Sequence, residues 1–454
     1  MHPGWRRSIP SGTLAALLVV GGCAGAGSGP APATDPSAAV AALFDPSALY
    51  RRMGLLASGA PLPFAGDIRF LASGSPDTTL AVLGLSLSNS ALAFRVADQE
   101  FEARYAVDLT LRRGGSVAAR LSSPERVRVA SREEAQRRDE SIIFQKFLRV
   151  PPGTYEAVVT VRDEQADVSA QAVQTVRVPR LRRPGLSNAM AVYKGGTRAT
   201  LETAPPVLMN PRSTVSFGLD SLWVYVEAYG MPDGTPAHVD LLGPDSMVVR
   251  RDTVLSGDRT VATALVAYPP GDLAVGEWRV RVSAAGVSDT TMLPLLVSFS
   301  GEWAITDFDE ILSLLRFFGH DSMIAGMQAA PPAERPALWR TFWRETDPVP
   351  ATPPNEALEQ YFQRLQEANE RFRETGGPGW TTDRGEVFIT LGEPDEVFDS
   401  SSGLQGSVRI IRWNYLSRRL SLDFIDDTGF GRFRLTPASR ADYHRALSAI
   451  RSGS

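Results

Sequence analysis

The sequence is poor in the residues that most often build covalent, metal or nucleophilic sites. Its 454 residues include one cysteine, Cys23, and four histidines that lie far apart along the chain. A single cysteine excludes an intrachain disulfide and a paired-cysteine metal site. The chain also lacks an H-E-x-x-H pair, a P-loop and a G-x-S-x-G elbow. Local motifs therefore predict no catalytic residue, metal ligand or cofactor.

Charge of one sign is not in excess either. Lysine plus arginine total 47, aspartate plus glutamate total 51, and only Lys146 and Lys194 are lysines. Nucleic-acid binding usually needs a basic face, which this balance does not favour. The apolar content of 43% allows a sizeable core, and the length predicts two to four domains.

The N-terminus carries a short apolar run, Leu14–Val20, behind Arg6 and Arg7. The run is too short to span a bilayer and is typical of a secretory signal. Val20-Gly21-Gly22-Cys23 follows and resembles a bacterial lipobox. That resemblance implies cleavage of residues 1–22 and lipidation of Cys23. Ala24 then favours the outer membrane, so we expect secretion across the inner membrane and a lipid anchor facing the periplasm.

Residues 23–44 are rich in Ala, Gly, Pro and Ser, which predicts a flexible tether. Two long segments follow this stretch. Strands with period-two alternation, such as Phe101–Leu111, are separated by glycine and proline turns. This pattern favours sandwiches, and Pro151–Tyr155 resembles a turn of immunoglobulin-like domains. We predict β-sandwich domains at 45–180 and 185–300, and a mainly β, multidomain fold with an α+β C-terminus.

An aromatic row marks the second predicted sandwich. Trp223, Tyr225 and Tyr229 alternate with Leu222 and its apolar neighbours, which supply the opposite face. Bare aromatic patches are uncommon on protein surfaces, so we expect the row to be buried between domains. The alternative is a binding surface for a sugar or a protein partner.

Helical spacing replaces alternation in residues 304–375. Thr306 or Asp307 can cap a first helix, and a second is predicted from Ala333 to Arg344. Asn355 can cap a third helix with an apolar stripe that reaches Glu374.

The chain is most distinctive at Gly379-Trp380-Thr381-Thr382-Asp383. Read physically, Thr382–Gly385 suggests a tight turn, and Glu386–Leu391 alternates like a strand. Trp380 is expected in the core. Gly392, Pro394 and Asp395 suggest the next turn, and three more strands follow at 408–416, 420–425 and 430–435. We predict a small antiparallel domain over 376–437 and a C-terminal helix or tail over 438–454.

This segment resembles the signature of the GWxTD-domain family of bacterial envelope lipoproteins. The residues that carry the resemblance are Gly379, Trp380, Thr382, Asp383, Gly385, Gly392, Pro394 and Asp395. Features upstream, from Leu338 onwards, also resemble the family. The resemblance implies a domain and a cell compartment but no reaction.

The order of the C-terminal motifs also looks like the small lipoprotein subunit of the outer-membrane barrel-assembly machine. In that module a Gly-x-Thr segment begins a helix, and the module binds other proteins. Gly385 and the β-branched Val387 and Ile389 disfavour a helix here, so the strand prediction is kept.

Carboxylates cluster in the last domain, and two of them could act as the acid and base of a glycan hydrolase. They are Asp383, Glu386, Glu393, Asp395, Glu396, Asp423, Asp426 and Asp427. Turns and solvated faces are the plainer explanation. We therefore predict a lipid-anchored envelope protein with a binding or assembly role, partnered by other envelope proteins and with a glycan as a further ligand candidate. An envelope hydrolase is the alternative.

Overall fold

The computed structural model describes residues 36–97, 100–136, 141–300, 303, 305–352, 355–374, 377–400, 409–427 and 429–452. Cys23 and the predicted signal lie outside these residues. Strands hold 43% of the chain and helices 25%, in several sheets followed by a helical region and a small antiparallel sheet. This confirms the predicted mainly β fold with an α+β C-terminus. Residues 36–454 form one compact unit.

The first sandwich is built by two sheets whose inward side chains share one core. One sheet has the order β1-β2-β3-β7, and the other has the order β4-β5-β8-β9, with β6 also paired to β5. Alternate residues such as Leu85, Val107 and Val159 meet between the sheets and are fully buried. The strands are β1 (Leu56–Ser58), β2 (Phe64–Ala72), β3 (Thr79–Ser88), β4 (Arg95–Ala97), β5 (Glu100–Arg113), β6 (Ser116–Val129), β7 (Ser141–Val150), β8 (Gly153–Asp163) and β9 (Val168–Val178).

The second sandwich is one continuous path of strands that folds over itself. The path runs β12-β11-β14-β17-β16-β15-β18-β19-β13, and β16 pairs with β15 and then with β17. Val224, Leu241 and Trp278 pack between the two layers. The strands are β10 (Gly185–Leu186), β11 (Met190–Lys194), β12 (Leu208–Met209), β13 (Thr214–Ser216), β14 (Leu222–Tyr229), β15 (Thr235–Leu242), β16 (Val248–Gly257), β17 (Ala262–Tyr268), β18 (Gly276–Ala284) and β19 (Thr291–Ser298).

The helices pack mainly against the second sandwich and the last sheet. Asp307 and Asn355 each cap a helix, because their side chains accept hydrogen bonds from the amides of Glu310 and Leu358. The helices are α1 (Pro36–Leu43), α2 (Ser47–Arg52), α3 (Arg132–Ala135), α4 (Phe308–Leu314), α5 (Asp321–Ala329), α6 (Arg335–Thr346), α7 (Glu356–Arg371), α8 (Asp383–Leu391) and α9 (Pro437–Ser452).

Two local predictions are wrong. The stretch predicted as a flexible tether to residue 44 contains α1, whose Val40 is buried in the large core. The segment predicted as a strand, Glu386–Leu391, is most of helix α8. Helix α8 is buried on most sides, so its sequence shows no single apolar stripe and the helical period is hidden.

The C-terminal sheet has the order β20-β21-β22-β23 and is antiparallel throughout. Its inward residues, including Trp413, Leu422 and Phe424, belong to the same core as the helices and the second sandwich. The strands are β20 (Glu396–Asp399), β21 (Arg409–Tyr415), β22 (Leu420–Asp426) and β23 (Arg434–Leu435). Strand β20 was missed at the sequence level, and α8 stands where the first strand was expected.

Candidate functional site

The signature segment forms a short turn followed by the start of helix α8. The turn spans Gly379–Thr381, and Thr382 is the cap of the helix. The Thr382 hydroxyl accepts a hydrogen bond from the Gly385 amide at 3.0 Å and donates one to the Gly379 carbonyl at 2.8 Å. The predicted tight turn over Thr382–Gly385 is therefore a helix N-terminus, because the threonine satisfies a free amide of the first turn.

The two glycines of the segment let three pieces of backbone come close together. A Cβ at Gly379 would lie 2.4 Å from the Ala368 carbonyl oxygen of α7. A Cβ at Gly385 would lie 2.1 Å from the Gly379 carbonyl oxygen. Neither distance is compatible with a side chain, so the turn is wedged between α7 and α8. Gly385, which seemed to disfavour a helix, allows the backbone of α8 to pack directly against the turn at Gly379.

Trp380 is a core residue with 8% of its surface exposed. The guanidinium of Arg316 lies 4.3 Å from its ring centroid, and the Phe317 ring packs edge-on at 6.3 Å. Burial lowers the pKa of Arg316 from its usual value. The indole is thus covered by a cation and a second ring and is not open to a ligand.

Asp383 fastens α8 to the end of the chain. Its carboxylate accepts a hydrogen bond from the Leu435 amide at 2.7 Å and forms ion pairs with Arg434 and Arg440. The side chain is only 10% exposed. This geometry ties α8 to β23 and α9 and leaves the carboxylate no room for an acid or base role.

The end of α8 uses the remaining signature residues. Gly392 has a φ of +85° and closes the helix, and its carbonyl accepts a hydrogen bond from the Tyr415 hydroxyl at 3.0 Å. Pro394 is buried, and Asp395 accepts the Leu416 amide at 2.6 Å. These residues connect α8 to the first strands of the sheet.

Three further carboxylates of the domain each have partners of their own. Glu393 pairs with Arg371, which lowers the pKa of Glu393, and Asp423 pairs with Arg412 at 2.7 Å. Asp426 accepts amides of the following loop. Among the described residues, no group of three or more His, Cys, Asp or Glu side chains is placed to hold a metal ion.

Glu374 was not singled out by the sequence and is the most unusual carboxylate here. Its side chain is 3% exposed and accepts hydrogen bonds from the Phe433 amide and from Arg384, both at 3.2 Å. Burial raises the pKa of Glu374, although Arg384 opposes the rise. Both partners belong to the packing between α8 and the sheet, so this too is a structural position.

The aromatic row of β14 does not form one surface. Tyr225 and Tyr229 are completely buried, whereas Trp223 is 40% exposed. Tyr225 packs with strands of the first sandwich, including Leu71 and Val82. The expected burial between the sandwiches is therefore found for Tyr225 and Tyr229 but not for Trp223, and a binding surface shared by the three residues is wrong.

A buried ion pair lies beside these tyrosines. Arg198 and Glu227 are both fully buried and contact at 3.0 Å, and the hydroxyls of Tyr225 and Tyr229 donate to the Glu227 carboxylate. Arg198 also donates to the Ala72 carbonyl of β2 at 3.0 Å. Burial and the nearby carboxylate raise the pKa of both tyrosines. This cluster joins the two sandwiches.

An open cleft lies between the first sandwich and helix α7. It has a volume of about 960 Å³. Trp303 and Phe362 line it, with ring centroids 4.1 Å apart. On the side of the first sandwich, the Arg132 guanidinium lies 5.8 Å from the ring centroid of Phe101. The aromatic residues of the lining are Phe44, Phe94, Phe101, Trp303 and Phe362.

Helix α7 contributes polar side chains to the cleft. Glu359, Gln363 and Gln366 line it at a spacing that places them on one face of α7, with Phe362 between them. Both sides of the cleft therefore mix rings with polar groups, since Phe101 and Arg132 come from the first sandwich and Phe362 and Gln363 from α7. Sequence reasoning missed this cleft because its walls come from five segments far apart in the chain.

A family profile described as the GWxTD domain matches residues 291–421. The C-terminal part of the chain is therefore a GWxTD domain, as the signature suggested. The search for similar curated proteins gave no match.

Comparison with solved structures gives only remote likenesses. A bacterial adhesin from Mobiluncus mulieris is 10% identical with a TM-score of 0.15, over 48% of this chain and 79% of that one. The serine-rich repeat protein Srr2 from Streptococcus agalactiae is 9% identical with a TM-score of 0.17, over 57% and 97%. A β-glucuronidase from Bifidobacterium dentium is 10% identical with a TM-score of 0.15, over 68% and 61%. With such low TM-scores, these likenesses do not indicate a shared overall fold or function.

Proposed function

We propose that this GWxTD-domain chain is a lipid-anchored protein of the cell envelope, at the outer membrane and facing the periplasm, with a binding or assembly role. The anchor proposal rests on the short apolar run that ends in Val-Gly-Gly-Cys23. Within the described residues, no helix has both the length and the apolar character needed to cross a membrane.

The observation that carries the binding role is the cleft beside α7. Flat apolar rings can stack on the carbon-rich faces of sugars, and side-chain amides and carboxylates can bind hydroxyl groups. The cleft offers both kinds of group, and its volume lies in the range of small-ligand sites. Its ligand is therefore proposed to be a short oligosaccharide.

Several observations favour binding over hydrolysis. A glycoside hydrolase needs two carboxyl groups facing one bond, with separations of about 5–10 Å. Asp383, Glu393 and Asp423 are each held by arginines, and Asp395 by an amide. The part of α7 that lines the cleft contributes one carboxylate, Glu359.

The binding role is tested with soluble glycan fragments released from envelope polysaccharide, titrated into the protein by calorimetry. Phe101→Ala and Gln363→Ala should each weaken binding by about 5- to 30-fold, since one stacked ring or one hydrogen bond is worth about 1–2 kcal/mol. Trp223→Ala is the control, because Trp223 is a partly exposed aromatic residue outside the cleft. If no fragment binds the unaltered protein, the oligosaccharide proposal is wrong.

The anchor is tested by Cys23→Ala. The altered protein should leave the membrane fraction and appear in the soluble periplasm. One acyl chain binds membranes only marginally, so several chains on Cys23 are expected by mass spectrometry of the unaltered protein. Persistence of the Cys23→Ala protein in membranes at high salt would contradict a lipid anchor.

A further inference from the structure

Strand β20 forms one edge of the C-terminal sheet and is open to solvent. It pairs with β21 on one side, and all four of its residues are exposed. Val397 is 53% exposed and Phe398 56%. An apolar edge strand offers its backbone to any extended chain, so proteins usually protect such edges.

The first sandwich shows what protection looks like in this same chain. Strand β6 is a 14-residue edge that pairs with β5. It carries Arg120, Pro124, Arg126 and Arg128. Proline and charged side chains of this kind prevent another strand from adding to the edge. Strand β20 contains no proline, and its two charged residues, Glu396 and Asp399, are both acidic.

The register of β20 shows which backbone groups are available. The Ser400 amide donates to the Ile410 carbonyl at 3.0 Å, and Phe398 stands opposite Arg412. Because hydrogen-bonded residues alternate along an antiparallel pair, Val397 points its N–H and C=O away from β21. These groups are placed to accept from and donate to the backbone of an added strand.

Charge decides what kind of chain fits. Asp395, Glu396 and Asp399 surround the two apolar residues of β20. Pairing β20 with β20 of a second copy would bring six carboxylates to one seam, which is unfavourable. A strand with basic side chains would instead form opposite-charge pairs, which are favourable between neighbouring strands.

We propose that β20 binds an extended segment of another protein, in which apolar residues alternate with lysine or arginine, as an added strand of the C-terminal sheet. The added strand would continue the order of the sheet beyond β20, with main-chain hydrogen bonds to Val397. The proposal shares no residue with the cleft beside α7 and holds whether or not the cleft binds a sugar.

The test uses a fluorescent peptide of alternating valine and lysine and measures its binding to the full chain by anisotropy. Val397→Pro removes an outward N–H and leaves the β20–β21 ladder intact, because Val397 donates nothing to β21. It should weaken binding about tenfold or more. Val397→Thr keeps the amide and the strand preference, so it should bind within about threefold of the unaltered protein.

Three outcomes would overturn the proposal: equal binding by the Val397→Pro protein, equal binding of a valine–glutamate peptide, or a stable dimer that the valine–lysine peptide dissociates. The last outcome would show that a second copy occupies the edge. Thermal melting of both variants checks that the sheet is intact. Glycan titration of the Val397→Pro protein separates this edge from the cleft, because oligosaccharide binding should be unchanged.

Discussion

Two carboxylates hold this molecule together in different ways. Glu227 lies at the junction of the sandwiches and pairs with Arg198, and neither side chain is exposed at all. Asp383 belongs to the GWxTD signature, and its partners Arg434 and Arg440 are 47% and 40% exposed. The carboxylate within the recognisable motif is therefore the less deeply buried of the two. The family signature therefore marks a site of close packing. The ion pair that is more completely buried, Glu227 with Arg198, lies outside the signature.

The difference has an energetic basis. Removing one partner of a fully buried ion pair leaves a charge that cannot reach water, which costs about 3–5 kcal/mol. The half-exposed arginines around Asp383 can be hydrated when their partner is lost, so their pairing contributes less. The predictions below test this contrast.

The largest effect is expected from Arg198→Ala. It leaves the Glu227 carboxylate buried without its cation, so the free energy of unfolding should fall by about 3–5 kcal/mol in urea titrations. The double variant Arg198→Met with Glu227→Leu removes both charges and should recover part of this loss. A fall below about 1 kcal/mol for Arg198→Ala would contradict the role assigned to the pair.

Gly385→Ala should cost about 3 kcal/mol, because a Cβ 2.1 Å from the Gly379 carbonyl forces backbone to move. The control is Gly326→Ala in α5, where a Cβ meets nothing within 4 Å. That change should stabilise the protein by about 1 kcal/mol through helix propensity. Similar melting temperatures for the two variants would disprove the packing argument.

Asp383→Asn should be milder, at about 1–2 kcal/mol. Asparagine can still accept the Leu435 amide, while the ion pairs to Arg434 and Arg440 are lost. Glu227→Gln, measured in the same urea titrations, should cost clearly more. If Asp383→Asn and Glu227→Gln lower the free energy of unfolding equally, the contrast drawn between Asp383 and Glu227 is wrong.

The smallest effect concerns Glu374 and depends on pH. Burial raises its folded-state pKa above the ordinary 4.5, so the folded protein keeps this proton to higher pH than the unfolded chain. Stability from this group is therefore present below pH 4.5 and is lost as pH rises through the folded pKa. Glu374→Gln removes that loss, so its melting temperature relative to the unaltered protein should rise between pH 4 and pH 7, by about 2 °C. If the melting temperature of Glu374→Gln relative to the unaltered protein instead falls between pH 4 and pH 7, folding lowers the pKa of Glu374 and the argument is wrong.

Features governed by local chemistry could be predicted from the sequence. The caps Asp307 and Asn355 were predictable because each precedes a helical pattern and bonds within three residues. Alternation identified the sandwich strands for the same local reason. The motif at Gly379 was recognisable, but its helix was not, since α8 is buried on most sides and Gly385 fits a close approach that only the tertiary structure shows.

Features that depend on distant segments could not be predicted. Arg198 lies in an irregular connection, and it meets Ala72 of one sandwich and Glu227 of the other. The cleft joins Phe101 of the first sandwich to Gln363 of α7. No periodicity connects such residues. The aromatic row of β14 is an intermediate case. Trp223 and Tyr225 follow the same alternation in the sequence, but the neighbouring sandwich covers only Tyr225.

The limits of the family match have a consequence for how this chain can be divided. The match begins at Thr291, the first residue of β19, and ends at Ser421, the second residue of β22. Strand β19 pairs with β18 and β13, which both lie upstream of the match. A fragment cut at these limits would therefore separate β19 from both of its neighbours and would divide β22 after its second residue. The limits of the family match are therefore not limits at which the sheets of this chain can be separated, and a fragment meant to keep its strands paired needs the upstream sandwich as well as the whole C-terminal sheet.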